Sequence, residues 1–427
     1  MDTTPFHLIL FALDIVVLGG LFLWIRFRRN TGSARSAVYQ YEKSLYAPIV
    51  ARHPSFVWDV GGVLLCGGFG LFCFAVLSRL IFTDFAQKRI YHFNVGQCIA
   101  EGVAIHWTLF FLGAAALLYW NRRHSLAVFS SCCAIFLACA SFNVLYWEVY
   151  HLKVEHYEIK TSKIKKRLRI VFVTDIQTDR VSSHEINTLK TIQKQKPDLI
   201  ILGGDYIQTF LHMREKRLPE KFRQMLIDHP LEAPLGVYAI AGNIRDKEVS
   251  DAELFRDTSV LFVSDTTYIS DSPFFDTTDW GPIEFVILNL GHSWGGLSSE
   301  ENDQILGEND NFIIMAGHCP NYAIDGYTNP KSGRSLSGFR NAASAPDLML
   351  AGHTHGGQVV IPFYGAIPFG GDERVIQVPR NMRSGFFTYP NGGHLLITRG
   401  SGVERGWAPR VRLFCPVEIS VIDIVPE

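Results

Sequence analysis

The sequence predicts an α/β protein in two parts. A transmembrane segment of four helices occupies residues 1–150, and a globular domain of two sheets packed face to face, with helices outside, occupies residues 151–427. Three observations carry that expectation. Charge is unevenly split, with 7 acidic and 11 basic side chains in the first 150 residues against 34 and 29 in the remaining 277. Four apolar runs of span-forming length crowd the first part. The second part alternates short apolar runs with polar, helix-like stretches, the pattern of strands and helices stacked in layers. The average of 19% charged residues, low beside the ~25% of ordinary soluble domains, therefore excludes a single soluble domain, a disordered chain and a coiled coil.

The apolar runs are roughly Leu8–Ile25, Phe56–Phe82, Val103–Trp120 and Leu126–Trp147. Each is close to the ~17–25 residues that carry a helix across ~30 Å of hydrocarbon. Trp24, Trp58, Trp107, Trp120, Tyr146 and Trp147 stand near their ends, where amphipathic rings suit the membrane–water boundary. The first run lacks a basic leader and is followed by Arg26, Arg28 and Arg29, so it reads as a span with a stop-transfer flank. Basic residues cluster after that run and again at Arg122 and Arg123, which puts both loops in the cytoplasm and both termini outside. The expected setting is a multi-pass protein of the cell (inner) membrane with an extracytoplasmic globular domain. One signal opposes it: Lys153, Lys160, Lys163, Lys165, Lys166 and Arg167 follow the fourth run and favour a cytoplasmic exit.

In the globular part, Leu168–Thr174 reads as a buried strand and Glu185–Gln195 as a helix. Leu199–Leu202, Gly236–Ala241, Glu284–Leu290, Phe312–Ala316, Leu348–Ala351, His394–Thr398 and Val417–Ile424 read as further strands, being β-branched and apolar runs bounded by Gly, Pro or Asp. The charged stretch His212–Gln224 reads as a helical excursion over the surface. A net charge of −1 offers no electrostatic footprint for nucleic acid. Cys319 and Cys415 are the only cysteines of this part, so there is no disulfide framework, and Cys319 reads as a packing residue.

Chemistry-bearing residues sit where these strands end. The successive ends run into Asp175-Ile176-Gln177, Gly203-Gly204-Asp205, Gly242-Asn243, Gly317-His318 and Gly352-His353-Thr354-His355. The glycines let the backbone turn sharply and bring the next side chain toward a shared centre. Carboxylate, amide and imidazole donors without thiolates suit two divalent ions (Mn²⁺, Fe or Zn²⁺) in one dinuclear site.

This order of strand-end motifs resembles the calcineurin-like metallophosphoesterase family, over essentially Leu168 to Ile424. The tail from Thr398-Arg399-Gly400 to Val417-Glu418 is similar to the branch of that family with N-terminal membrane segments. The resemblance implies a four-layer α-β-β-α sandwich and two metals bridged by Asp205. One would be held by Asp175, Gln177 and His355, the other by Asn243, His318 and His353. It further implies a phosphohydrolase that activates water for attack on phosphorus, with Asp205, Asn243, His318 and Arg245 nearest the reaction.

Two positions depart from the family pattern. Gln177 stands where histidine is usual, although an amide oxygen can still ligate. Ile244 stands where the family has a histidine beside the leaving group. Arg245 can supply positive charge there but cannot act as an acid near neutral pH. The expected substrates are therefore pyrophosphates or activated diesters, whose leaving groups need little protonation. Some proteins resembling this architecture hydrolyse the lipid-linked nucleotide UDP-2,3-diacylglucosamine, a substrate that would partition into the bilayer. The alternatives are a broad extracytoplasmic phosphodiesterase and a non-catalytic metal-binding sensor on the same fold. Arg399 and Arg405 are further candidates for phosphate contact, and His292 for a place in the cleft.

Overall fold

The computed structural model describes residues 15–23, 25, 83–84, 89–90, 102–208, 217–244, 249–271, 275–306, 310–324, 338–340, 342–367, 378–404 and 410–427. The chain divides into two compact units, Met1–Asn143 and Val144–Glu427.

In the first unit, residues 15–23 are helical. The run Val103–Trp120 forms a wide π-type turn, Gly102–Trp107, that leads into helix α1, Thr108–Trp120. The next run forms α2, His124–Phe142, which continues through Asn143–Trp147 to Tyr150. Phe110, Ala114 and Leu118 of α1 pack on Ala127 and Ala134 of α2 and on Val17 and Leu21, with alanines allowing close helix approach. Among the described residues one helix, the 27-residue His124–Tyr150, is long and apolar enough to cross a membrane, and Ala104–Trp120 is a shorter apolar helix. The described residues thus carry one span-length helix where the sequence leads one to expect four. The run Phe56–Phe82 lies outside them.

The second unit contains two six-stranded sheets. The strands of these two sheets are β1 (Lys153–Thr161), β2 (Leu168–Val173), β3 (Leu199–Leu202), β4 (Val237–Ile240), β5 (Leu261–Val263), β6 (Thr267–Tyr268), β7 (Ile283–Ile287), β8 (Phe312–Ala316), β9 (Leu348–Ala351), β10 (Gly385–Thr388), β11 (His394–Ile397) and β12 (Glu418–Pro426). The first sheet has the order β1-β12-β2-β3-β4-β5 and the second β10-β11-β9-β8-β7-β6. Neighbours run parallel except β12 against β2, β10 against β11 and β6 against β7.

Alternation along the strands builds three apolar layers. Ile170 and Phe172 of β2 meet Phe285, Ile314 and Leu350 of the second sheet in the central layer. Val171 and Val173 point the other way, onto Leu189 and Ile192 of helix α3 (Ser183–Lys194) and Phe222 of helix α4 (Leu218–Asp228). On the far side, Ile313, Met315 and Met349 pack with Leu297 and Ile305. Side chains of this kind contribute roughly 1.5–3 kcal/mol each when fully buried, so both sheets are fixed on both faces. The layers follow the order α-β-β-α expected of the fold. The surface excursion expected over His212–Gln224 appears as α4, which starts at Leu218 with Pro219 in its first turn, while residues 209–216 lie outside the described set.

Residues 144–150, expected with the membrane segment, have their partners in this second unit. The Arg412 N–H donates to the Val144 carbonyl (3.0 Å) and Val417 N–H to the Glu148 carbonyl (3.2 Å). The buried Glu148 carboxylate accepts from Cys415 N–H (2.8 Å), and Val149 packs on Val403 and Val417.

Candidate metal centre

The residues expected at the centre leave β2, β3, β4, β8 and β9 at one end of the two sheets, where turns must be tight. Of the twelve non-glycine residues with positive φ among those described, five are Asp175, Gln177, Asp205, His353 and His355. Left-handed backbone at such residues costs on the order of 1–3 kcal/mol each, so strain is concentrated at this one place. Two glycines make room for it. A Cβ on Gly242 would collide with the Asp205 carboxylate, and one on Gly352 would collide with Thr174 and lie 2.7 Å from Asp175 Oδ2.

Asp205 lies in the middle. Its Oδ1 accepts from Ile244 N–H (2.7 Å), and its Oδ2 accepts from Gln177 Nε2 (3.1 Å) and faces His318 Nε2 (3.4 Å). His318 Nε2 and His353 Nδ1 both lie against the Asn243 Oδ1 atom, at 2.7 and 2.8 Å. Asp175 takes His353 N–H (3.0 Å) and the Thr174 hydroxyl on Oδ2, and its Oδ1 faces His355 Nε2 at 3.4 Å. These contacts join all seven expected ligands into one cluster, Gln177 through Asp205. Asp175, Asp205 and His318 bring ligand atoms within 4.8 Å of one another. Arg245 lies outside the described residues.

The electrostatics fit a cation-binding site. Burial opposes the charged form of His318, but the carboxylates of Asp205 and Asp175 and the hydrogen bonds it makes raise its pKa to about 9. Its Nδ1 faces the Gly203 carbonyl (2.8 Å), which can only accept, and its Nε2 faces oxygens as well. Both ring nitrogens therefore carry protons. Burial, reinforced by the charge on His318, lowers His353 to about 3. Burial also lowers His355, to about 4. Burial resists ionisation of Asp205, yet the His318 charge and hydrogen bonds hold its carboxyl below the usual range.

The donor set also passes a test of fit. Asp175 Oδ1, Gln177 Oε1, His353 Nε2 and His355 Nδ1 are buried without a hydrogen-bond partner. Orphaned polar atoms cost about 1–3 kcal/mol apiece, and oxygen and imidazole donors gathered around two carboxylates are what divalent cations relieve. Cys319 also lies near His318 and His353, but burial pushes its thiol well above the ordinary value, so it stays protonated and packs.

Residues 168–357 match the profile of the calcineurin-like phosphoesterase family. The chain carries a calcineurin-like metallophosphoesterase domain. Such a domain is that of a metal-dependent phosphoester hydrolase, and the family uses divalent metals. The metallophosphoesterase YkuE of Bacillus subtilis is 27% identical over 61% of this chain and 82% of its own length. A metallophosphoesterase of Aquifex aeolicus is 22% identical over 65% of this chain and 93% of its own. The phosphodiesterase YaeI of Escherichia coli is 24% identical over 60% and 82%.

Two weaker expectations, for Arg399 and His292, turn out differently. Arg399 is committed to ion pairs with Glu155 (2.7 Å) and Glu418, which leaves it a structural clasp and not a phosphate contact. Arg405 lies outside the described residues. His292 is bonded to Thr266 Oγ1 (2.7 Å) and paired with Glu301 (3.3 Å). The sequence reading also missed Trp294, whose ring meets His353 edge to face at 5.0 Å, and Glu404, which accepts from Gln177 Nε2 at 3.1 Å. The signal for Trp294 was its place just beyond strand β7. No local signal marked Glu404.

Proposed function

We propose that the chain is a membrane-anchored dinuclear-metal phosphohydrolase acting on phosphodiester or pyrophosphate bonds, lipid-linked nucleotides such as UDP-2,3-diacylglucosamine among them. The observation that carries the hydrolase reading is the cluster of seven donor residues at five strand ends, four of which keep an orphaned buried atom. In this reading Asp205 would hold both of two cations, one together with Asp175, Gln177 and His355 and the other with Asn243, His318 and His353. Such cations would supply Lewis acidity to the phosphoryl oxygens and a water of lowered pKa.

The protein's own residues set the rest. Ile244 N–H and Gln177 Nε2 fix the Asp205 carboxylate, and the Gly203 carbonyl fixes the His318 ring. The Ile244 side chain has no proton to donate to a departing oxygen. A leaving group that is itself a phosphate, or an otherwise stabilised alkoxide, suits this site better than a simple alkyl alcohol. Arg245, next in the chain, is assigned to meet the negative charge of the phosphate.

Membrane anchoring is supported by the helix His124–Tyr150 and by the exposed apolar side chains of Ile135, Phe136 and Phe142 along it. Confining enzyme and amphiphilic substrate to one bilayer makes their encounter two-dimensional. The alternative, a broad phosphodiesterase acting outside the cell membrane, is favoured by the outward orientation expected from the basic loops and by the similarity to the Escherichia coli phosphodiesterase YaeI.

The test uses the full chain in detergent, loaded with Mn²⁺ or Zn²⁺ and given bis-p-nitrophenyl phosphate, a diphosphodiester and an alkyl monoester. Turnover of the first two above the third is expected, and faster alkyl monoester cleavage would refute the substrate reading. Protease accessibility of the globular domain in intact cells, or labelling of a cysteine introduced on its exposed surface, separates the two variants, because Cys319 and Cys415 are buried. An inward domain favours the nucleotide lipid, and an outward one favours the broad phosphodiesterase.

A further inference from the structure

The two ends of the Gln177 amide have unlike surroundings. Nε2 lies 3.1 Å from Asp205 Oδ2 and 3.1 Å from Glu404 Oε2, while Oε1 is buried with no hydrogen-bond partner. Two N–H donors thus answer two carboxylate oxygens. Turning the amide over would set Oε1 against both acids, a repulsive arrangement in a buried place. The pair of acids therefore decides which end of the amide is left for a cation. An amide oxygen can ligate, whereas an amide nitrogen that keeps its protons cannot.

Glu404 is built into this position. Its N–H donates to Gln358 Oε1 (2.6 Å), just past His355 in the chain, and its Oε1 accepts from Gln208 Nε2 (2.5 Å). The loop that carries it is stitched to the Asp175 loop by Ser401 N–H to the Thr174 carbonyl (3.0 Å) and Gly402 N–H to the Asp175 carbonyl (2.8 Å). A carboxylate behind a ligating imidazole orients the ring and raises its basicity. A carboxylate behind the N–H of an amide does the same for the amide oxygen, by drawing charge toward it.

We infer that Glu404 is a positioning residue that locks and polarises the Gln177 amide so that Oε1 faces the cation, making glutamine a competent oxygen ligand. The inference rests on the dinuclear-metal reading given above.

Metal binding, not turnover, tests it. The full-length protein in detergent is stripped of metal and titrated with Mn²⁺ by calorimetry, with manganese per chain counted after gel filtration. The wild type binds two Mn²⁺. Glu404→Ala weakens one of the two sites by roughly 10–100-fold and leaves the other within about twofold. In a Gln177→Ala background, where no amide is left to position, the same Glu404→Ala change moves neither site by more than about a further twofold. If the alanine variant loses its fold, the isosteric Glu404→Gln variant carries the comparison, with a smaller weakening expected at the same site. Unchanged affinities in Glu404→Ala, or equal losses in the glutamine and alanine backgrounds, overturn the role of Glu404. A wild type that binds no pair of Mn²⁺ ions overturns the dinuclear reading instead.

Discussion

Loading the metal-free domain with a divalent cation at pH 7.5 should expel close to one proton per chain, and that proton should come from His318. With its pKa raised to about 9, His318 is ~97% imidazolium at this pH. Both of its nitrogens face acceptors, Gly203 O on one side and Asn243 Oδ1 on the other, as a doubly protonated ring requires. His353 and His355, lowered to about 3 and about 4, are already neutral and release nothing. Asp205, held below the usual range, is already ionised. A nitrogen must lose its proton before it can ligate, so the side chains together give up one proton, and any release beyond it comes from metal-bound water. Calorimetric titration with Mn²⁺ in buffers of different ionisation enthalpy reads that number as a slope. Apparent affinity should rise about tenfold per pH unit up to about pH 9 and level off above it.

The same shift has a stability counterpart with a definite sign. His318 has a folded pKa above its unfolded one, so its contribution is fully present below about pH 6.5 and is lost as pH rises through about 9. The metal-free protein should lose on the order of 3 kcal/mol across that window, while the metal-loaded protein should not. A slope indistinguishable from zero would refute the charged state assigned to His318. A slope near three would refute the neutral states of His353 and His355.

Asp205→Ala removes the carboxylate that Ile244, Gln177 and His318 all address, so bound metal should fall below one per chain and diester hydrolysis by at least ~100-fold. Retention of two metals would remove Asp205 from the bridging role. Gly352→Ala drives a Cβ into Thr174 and toward Asp175, a cost of ~1–3 kcal/mol read as a melting temperature lower by roughly 3–10 °C. An unchanged melting temperature would mean the loop gives way freely. Ile244→His should raise cleavage of unactivated alkyl phosphates by ~10²-fold and leave the p-nitrophenyl diester nearly unaffected. Equal effects on both substrates would argue against a missing proton donor.

The strands the sequence revealed and those it hid differ in their place in the sheets. β2, β3, β4, β7, β8, β9, β11 and β12 have neighbours on both sides and read as continuous apolar runs. The four that were missed, β1, β5, β6 and β10, are the four edges. An edge strand has one partner and meets water, so its sequence need not be apolar and does better when it is not. β1, with Lys153, Glu155, Glu158 and Lys160, is such a strand, yet it pairs with β12 through nine consecutive residues. Its lysines follow the fourth apolar run closely enough to read equally as a charge cluster flanking a membrane span. Charge near a membrane span and charge along a sheet edge look alike in one dimension.

The candidate ligands were legible for a related reason. Each follows directly on a central strand, so local order along the chain maps onto proximity in space. Two other features of the centre have no such map. The orientation of the Gln177 amide depends on Glu404, 227 positions away, through contacts made only when the tail loop closes over the Asp175 loop. The end of the apolar helix reaches the same tail. Glu148 accepts from Cys415 N–H, and the Cys415 thiol in turn donates to the His355 carbonyl at 3.3 Å. Arg412, fully buried, ties this region together by donating to the carbonyls of Arg399, Gly402 and Cys415. Three distant stretches, residues 144–150, the loop after β9 and residues 399–418, therefore form one hydrogen-bonded block around His355. Residues 144–150 thus brace the backbone of His355 by way of Cys415, and a change at Glu148 should reach the metal centre by that route.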